Sequence, residues 1–161
     1  MHKHVVGVAN MHVSSDEGEE IITYALGSCL GIALYDPVAR VGGLVHVMLP
    51  TSEVDPKKAD TNPCMFVDTG VPALFKACYK AGAEKQRMQV KVAGGASVNR
   101  KEEEDMFQIG KRNMVLLRKL LWKNGVMLSS SDVGGTESRT MAIQIGSGLV
   151  TVKSNGVIKE L

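Results

Sequence analysis

Residues 22–50 read ITYALGSCLGIALYDPVARVGGLVHVMLP, two apolar runs joined by a short polar turn. Asp36 and Pro37 suit the first and second positions of a type I turn. The residues on either side alternate between larger and smaller side chains, as residues in β-strands do. This stretch therefore predicts an antiparallel hairpin in which Cys29–Asp36 pairs with Val41–Leu49.

The predicted hairpin brings one thiol and one imidazole together. A turn over residues 36–39 places Arg40 opposite Tyr35 and His46 opposite Cys29. Directly opposed residues have Cβ atoms about 4.5–5.5 Å apart, so the two side chains could hydrogen-bond. A one-residue slip, for example through a bulge at Gly42–Gly43, would place them on opposite faces.

Alternation also separates the two faces of this hairpin. One face carries large apolar side chains and is expected to be the core face: Leu30, Ile32, Leu34, Val41 and Val45. Cys29 and His46 share the other face with small residues, which would leave room for another group to approach.

A thiol beside an imidazole permits nucleophilic chemistry. A cysteine is mostly protonated at neutral pH, and a neighbouring histidine increases its reactive thiolate fraction. Backbone N–H groups at Gly27 and Ser28 could stabilise an oxyanion, and the Thr23 hydroxyl could orient the imidazole. The alternative is a buried structural thiol and a core histidine, since free cysteine is among the most buried residue types.

Composition narrows the class of protein. The chain has 161 residues, 44% hydrophobic, and a net charge of +2. We expect one domain spanning residues 1–161 and no strong attraction to nucleic acid or membrane surfaces. The N-terminal residues become polar at Asn10 before a signal-peptide core could form, so a cytoplasmic protein is expected. Three cysteines without a CxxC pair should then be free thiols.

The rest of the chain mixes strands with two helices. One helix is predicted from the spacing of Val71, Leu74, Phe75 and Cys78, and it ends at Gly82. A second helix is predicted over Lys111–Lys123, with an apolar side formed by Val115, Leu116, Leu120 and Leu121. The charged run 101–105 suggests a solvated loop or the approach to a helix. Further strands are predicted over 4–10, 20–25, 88–93, 126–132, 139–145 and 149–153. Together these elements favour a mixed α/β fold with largely antiparallel sheets.

Other candidate sites are weaker. His2, His4 and His12 could bind a metal, but no thiol or carboxylate stands at a recognised ligand spacing, so a solvated segment is the simpler interpretation. The basic residues of the second helix suggest a solvated face or, alternatively, a surface for docking acidic helices.

Several motifs resemble one family. The run from Leu26 to Gly31, the Asp36-Pro37 turn and the run from Gly42 to Pro50 are similar to the signature of the CheD chemoreceptor glutamine deamidases. Three further stretches match that family in the same order: Lys91–Ala96, Ile109–Asn113 and Val133–Gly135. Ala93 and Ser138 depart from the family pattern, which commonly has Phe and Gly at these positions.

The resemblance implies a cysteine hydrolase that converts glutamine side chains of methyl-accepting chemotaxis receptors to glutamate through a thioester, releasing ammonia. It implies a catalytic set of Thr23, Cys29 and His46, with no metal or organic cofactor. It also implies a regulatory partner, the CheC-type phosphatase of CheY-phosphate, and a layered α/β sandwich with two main helices, related to toxin-type cysteine deamidases. Two alternatives remain: a non-catalytic adaptor that binds the phosphatase, and a hydrolase of receptor methyl esters.

Overall fold

The computed structural model describes residues 1–97 and 108–161, so the charged run 101–105 lies outside the described residues. Within these residues, ten strands form two sheets: β1 (His2–Val5), β2 (Asn10–Ser14), β3 (Glu19–Leu26), β4 (Leu30–Asp36), β5 (Val41–Val47), β6 (Gln89–Gly94), β7 (Ser130–Val133), β8 (Arg139–Gln144), β9 (Val150–Ser154) and β10 (Val157–Glu160). The α-helices are α1 (Pro56–Thr61), α2 (Val67–Lys80) and α3 (Ile109–Lys123). Short 3-10 turns occupy Ser52–Val54, Pro63–Met65 and Lys85–Arg87.

Each sheet has five strands and is mainly antiparallel. Sheet A has the order β1-β3-β8-β9-β10, and sheet B has the order β2-β5-β4-β6-β7. Parallel pairing is confined to β1 with β3 and β6 with β7 among these strands. The predicted mixed α/β fold with largely antiparallel sheets is confirmed.

Sheet B is the middle layer of the molecule. On one face its strands pack against α2 and α3 in a core that includes Leu30, Ile32, Leu74 and Leu117. On the other face they pack against sheet A in a second core that includes Leu44 and Met141, among others. Every residue of β4 and β5 is buried. The hairpin therefore has two core faces, and side chains of sheet A fill the space that its small residues leave.

The β4–β5 hairpin forms, but in a different register from the predicted one. His46 pairs with Gly31 rather than Cys29, and Asp36 pairs with Val41. The cause is a displacement of the four-residue turn by one position, from residues 36–39 to residues 37–40. Arg40 takes a left-handed conformation with φ of 53°, and its N–H donates to the Asp36 carbonyl at 2.8 Å. Since the shift is two residues, Cys29 and His46 keep the same side of the hairpin.

The two predicted helices are confirmed with different details. α3 begins at Ile109, and its buried stripe is Gly110, Asn113, Met114, Leu117 and Leu121. The assignment of Val115 to the apolar side is wrong, since that residue is 60% exposed. Leu116 and Leu120 are only partly buried.

The structure also differs from the sequence prediction in one strand, and it has a short helix for which no prediction was made. The predicted strand over 4–10 divides between β1 and β2, which belong to different sheets, and Ala9 at the break has a φ of 58°. The polar stretch 50–63 includes α1, which begins after Asp55; this residue accepts from the Lys58 N–H. None of the described helices is long and apolar enough to cross a membrane.

Candidate active site

His46 lies between the two sheets, where it meets Thr23 from sheet A. The Thr23 hydroxyl is 2.7 Å from His46 Nδ1 and 2.8 Å from the Val6 carbonyl oxygen. Both Thr23 and His46 are fully buried. The contact depends on the packing of β3 against β5, because the two residues belong to different sheets.

These hydrogen bonds fix the tautomer of His46. The Thr23 hydroxyl has one proton, and the Val6 carbonyl can only accept, so that proton points to Val6. Thr23 must then accept from His46, which places the ring proton on Nδ1. Nε2 keeps its lone pair and has no hydrogen-bond partner among the described residues. The imidazole is thus held in the form in which Nε2 can act as a base.

Cys29 lies in a bend, residues 27–29, that joins β3 to β4 and is partly exposed. Three consecutive carbonyls of this bend are held from elsewhere in the chain. The Gly27 oxygen accepts from Ala96 N at 2.9 Å, and the Cys29 oxygen accepts from Gly95 N at 2.9 Å. The Ser28 oxygen accepts from Asn113 Nδ2 at 3.0 Å. Non-local contacts therefore fix the backbone around the thiol.

The N–H groups of the bend differ in availability. Gly27 N–H donates to the Ala25 carbonyl at 3.0 Å, so it is already used. The N–H groups of Ser28 and Cys29 do not donate to any backbone carbonyl in the described part of the chain. Among these groups, Ser28 and Cys29 are better candidate oxyanion donors than Gly27.

Burial keeps both groups of the candidate pair neutral. Burial raises the pKa of the Cys29 thiol, although the N–H of Cys29 itself partly offsets this by favouring the thiolate. Burial also lowers the pKa of His46. A neutral thiol and a neutral imidazole are therefore the resting state, and no hydrogen bond joins His46 Nε2 to Cys29. Cys29 lies in the bend just before β4, two residues before Gly31, which is the pairing partner of His46.

Glycines allow the Cys29 bend to pack closely against β6. A Cβ on Gly94 would lie 2.2 Å from the Cys29 carbonyl oxygen, and Gly94 has a φ of 113°. A Cβ on Gly110 would lie 2.5 Å from the backbone of Gly95. Both contacts involve backbone atoms that cannot rotate away, so these positions require glycine.

Asn113 is a polar residue of the site that sequence reasoning missed. Its Nδ2 donates to the carbonyls of Ser28 and Met48, and the residue is fully buried. The signal was present, because Asn113 lies four and eight residues before Leu117 and Leu121 on the buried stripe of α3. A polar side chain on such a stripe needs hydrogen-bond partners inside the protein.

The other two cysteines are buried, and the N-terminal histidines have partners of their own. Burial raises the pKa of Cys78 to about 12, and it raises the pKa of Cys64 as well. His2 Nε2 lies 3.0 Å from a carboxylate oxygen of Asp16 and 3.3 Å from one of Glu19. His12 also contacts Glu19, and its ring stacks on His4.

Comparisons with known proteins give a consistent result. A family model described as "CheD chemotactic sensory transduction" matches residues 48–154. A protein of Syntrophus aciditrophicus named "Probable chemoreceptor glutamine deamidase CheD 1" is 49% identical over 152 residues, 94% of each chain. A "Probable chemoreceptor glutamine deamidase CheD" of Solibacter usitatus is 46% identical over all of this chain and 94% of its own length. A relative from Anaeromyxobacter dehalogenans, with the same name and the number 2, is 39% identical over 97% of each chain.

Proposed function

The chain belongs to the CheD family, and from that premise we propose that it is a cysteine-dependent deamidase of glutamine side chains on chemoreceptors. Its relatives are named chemoreceptor glutamine deamidases. The proposed catalytic residues are Cys29 as nucleophile, His46 as base and Thr23 as the residue that orients His46. The proposed substrate is the part of a methyl-accepting chemotaxis receptor that carries the modified glutamines.

One observation carries this proposal. Thr23 holds the His46 proton on Nδ1, and the buried Nε2 has no partner among the described residues. A buried acceptor without a partner costs about 1–3 kcal/mol, which a purely structural histidine would avoid. The same side of the hairpin carries Cys29, a partly exposed thiol. An available base on the same side of the hairpin as a partly exposed thiol supports a role in nucleophilic catalysis.

The first half-reaction forms a thioester. His46 Nε2 takes the thiol proton as Cys29 Sγ attacks the carboxamide carbon of the glutamine. The oxygen of the tetrahedral intermediate takes the negative charge, and the N–H groups of Ser28 and Cys29 are proposed to donate to it. The carbon–nitrogen bond then breaks, and the leaving nitrogen takes the proton from His46 and departs as ammonia.

The second half-reaction releases glutamate. His46 Nε2 takes a proton from a water molecule, whose oxygen attacks the thioester carbon. The carbon–sulfur bond breaks, and Cys29 Sγ recovers its proton from His46. The sum is one amide and one water converted to one carboxylic acid and one ammonia. This route requires neither a metal nor an organic cofactor.

The proposal is tested on a purified cytoplasmic fragment of a chemoreceptor. Intact-mass spectrometry before and after incubation should show the mass gain of amide-to-acid conversion and release of ammonia. Cys29→Ala should abolish the conversion, whereas Cys64→Ala should retain it, because Cys64 lies among apolar residues packed against α2. Conversion by Cys29→Ala would contradict the assignment of the nucleophile.

The same assay separates the two alternatives. A wild-type protein that binds a CheC-type phosphatase but converts no receptor glutamine would act as an adaptor. Release of methanol from methylated receptor, without release of ammonia from the unmethylated form, would identify a methyl-ester hydrolase. Regulation by the CheC-type phosphatase stays part of the proposal, to be measured as a fall in deamidation rate when that protein is added.

A further inference from the structure

Asn113 on α3 connects the two segments that carry the thiol and the imidazole. Its Nδ2 donates to the Ser28 carbonyl at 3.0 Å and to the Met48 carbonyl at 3.1 Å. Ser28 immediately precedes Cys29, and Met48 follows His46 by two residues. A single buried amide therefore ties the bend that bears the nucleophile to the end of the strand that bears the base.

The choice of side chain follows from its two acceptors. Both partners of Nδ2 are carbonyl oxygens, so the nitrogen of the amide must face them, and both of its protons are used. Among the described residues, neither carbonyl has another hydrogen-bond donor. An aspartate would fit the same space but would present oxygen to both carbonyls, and an alanine would leave both without a donor.

The bond to Ser28 also determines where the Cys29 N–H points. In a trans peptide the C=O and the following N–H point in opposite directions. Because Asn113 holds the Ser28 oxygen on the α3 side, the Cys29 N–H is directed away from α3. That N–H is the group that favours the thiolate of the same residue, and it is one of the two proposed oxyanion donors.

Packing alone does not explain why an asparagine stands at position 113. Its Oδ1 is buried and has no hydrogen-bond partner among the described residues. A residue selected only for packing on the stripe with Met114, Leu117 and Leu121 would be apolar, as those neighbours are.

We propose that Asn113 is a positioning residue of the active site, which orients the Ser28–Cys29 peptide and sets the separation of Cys29 and His46. This inference rests on the proposed function. It does not make Asn113 a catalytic residue, because its contacts are to backbone carbonyls and not to the reacting atoms.

The test measures kinetics and thiol reactivity in full-length Asn113→Ala. With a receptor fragment as substrate, kcat should fall about 10²-fold, as expected when reacting groups are misplaced by about 1 Å, and KM should change less than about threefold. Alkylation of Cys29 by iodoacetamide, followed by peptide mass spectrometry, should begin at a higher pH than in the wild type. The reason is that the thiolate loses its oriented N–H. Unchanged kcat and an unchanged alkylation profile would overturn the inference.

Two internal controls separate positioning from folding. Cys64 and Cys78 are buried, so they report unfolding when they become alkylated together with Cys29. Leu117→Ala, on the same buried stripe, should lower thermal stability while leaving the pH profile of Cys29 unchanged. If all three cysteines of Asn113→Ala are alkylated, the test is repeated with Asn113→Ser, whose hydroxyl keeps one hydrogen-bond donor. Labelling of all three in that variant as well would show that Asn113 serves the fold alone, and would overturn the inference.

Failure of this inference is distinguishable from failure of the proposed function. If Cys29→Ala still converts receptor glutamines, the proposed function fails whatever the Asn113 variants do. If Cys29→Ala is inactive and the Asn113 variants behave as the wild type, only the positioning role fails.

Discussion

At the scale of single residues, a threonine hydroxyl decides what His46 can do. The single proton of Thr23 goes to the Val6 carbonyl, so Thr23 accepts the Nδ1 proton and leaves Nε2 basic. A carboxylate in the place of Thr23 would stabilise a protonated imidazole, whereas a neutral hydroxyl does not. Burial lowers the pKa of His46 and keeps it neutral, which suits its proposed role as a base.

Replacing Thr23 tests this dependence on one hydroxyl. Thr23→Val keeps the volume but removes the hydrogen-bond partner of both His46 Nδ1 and the Val6 carbonyl. Each of these groups is then buried and unpaired, at a cost of about 1–3 kcal/mol. We expect kcat for receptor deamidation to fall about 10²-fold, because the correct tautomer is no longer enforced. Thr23→Ser, the matched control, keeps the hydroxyl and should stay within about tenfold of the wild type. Equal activity of the valine and wild-type proteins would show that Thr23 does not orient the base.

At the scale of elements, the hairpin shows what alternation can and cannot specify. The pattern of large and small residues correctly placed Cys29 and His46 on one side of the hairpin. It could not specify the register, because the turn includes Arg40 in a left-handed conformation and lies one residue later than predicted. Left-handed residues other than glycine are uncommon, so the sequence gives little warning of them.

The contact between β6 and the Cys29 bend predicts different effects for two similar substitutions. Gly82 and Gly94 have φ values of 112° and 113°, but a Cβ on Gly82 would meet no atom within 4 Å. Gly82→Ala should therefore show only the conformational strain, about 1–3 kcal/mol. Gly94→Ala adds a clash with the Cys29 carbonyl, so we expect a larger loss of stability, by about a further 1–3 kcal/mol.

Urea denaturation of the two variants measures this difference, and the activity of the folded Gly94→Ala protein reports the position of Cys29. We expect that activity to fall, while Gly82→Ala stays fully active. Equal losses of stability in the two variants would mean that the bend yields to the extra methyl group.

At the scale of the whole molecule, the motifs that are separate in sequence meet at one place. Gly95 and Ala96 hold the bend of Cys29, Gly110 allows α3 to approach, and Asn113 reaches the bend from that helix. Gly134 N–H donates to the Gly94 carbonyl at 3.0 Å, so the Val133–Gly135 motif also lies at this place. Long-range contacts of this kind explain why short motifs spread along the chain occur together in one sequence.

Much of the candidate site could be predicted from the sequence, and the rest depends on tertiary packing. Thr23, Cys29 and His46 were predicted from the residues around them and from the resemblance, and the strand and helix periods together gave the mixed fold. The contact of Thr23 with His46 requires sheet A to lie over sheet B, which local periodicity does not encode. The bridging role of Asn113 likewise depends on tertiary contacts. The Gly27 N–H donates to the Ala25 carbonyl, a local bond that the pattern of residue types does not reveal.

The stability of the whole molecule should depend on pH through Asp36. Burial opposes ionisation of this side chain, but hydrogen bonds from Arg87 and from the N–H groups of Glu84, Ala39 and Val38 outweigh it and lower its pKa. The unfolded chain then binds the proton more readily, so stability is lost as pH falls below about 4, the usual range of an aspartate.

Urea midpoints between pH 7 and pH 2 measure this effect. Asp36→Asn should be less stable than the wild type at pH 7 and should lose less stability on acidification. Glu17→Gln, which removes an exposed carboxylate, is the matched control and should follow the wild-type curve. Parallel curves for wild type and Asp36→Asn would contradict the assignment.

The most direct test of the account is to trap the covalent intermediate on Cys29. Enzyme and receptor fragment are mixed, quenched in acid within the first turnover and weighed by intact-mass spectrometry. We predict a species with the summed mass of both proteins less one ammonia, attached through Cys29, cleaved by hydroxylamine and absent from Cys29→Ala. Deamidation that proceeds without such a species, or an adduct on Cys64 or Cys78 instead, would contradict the account.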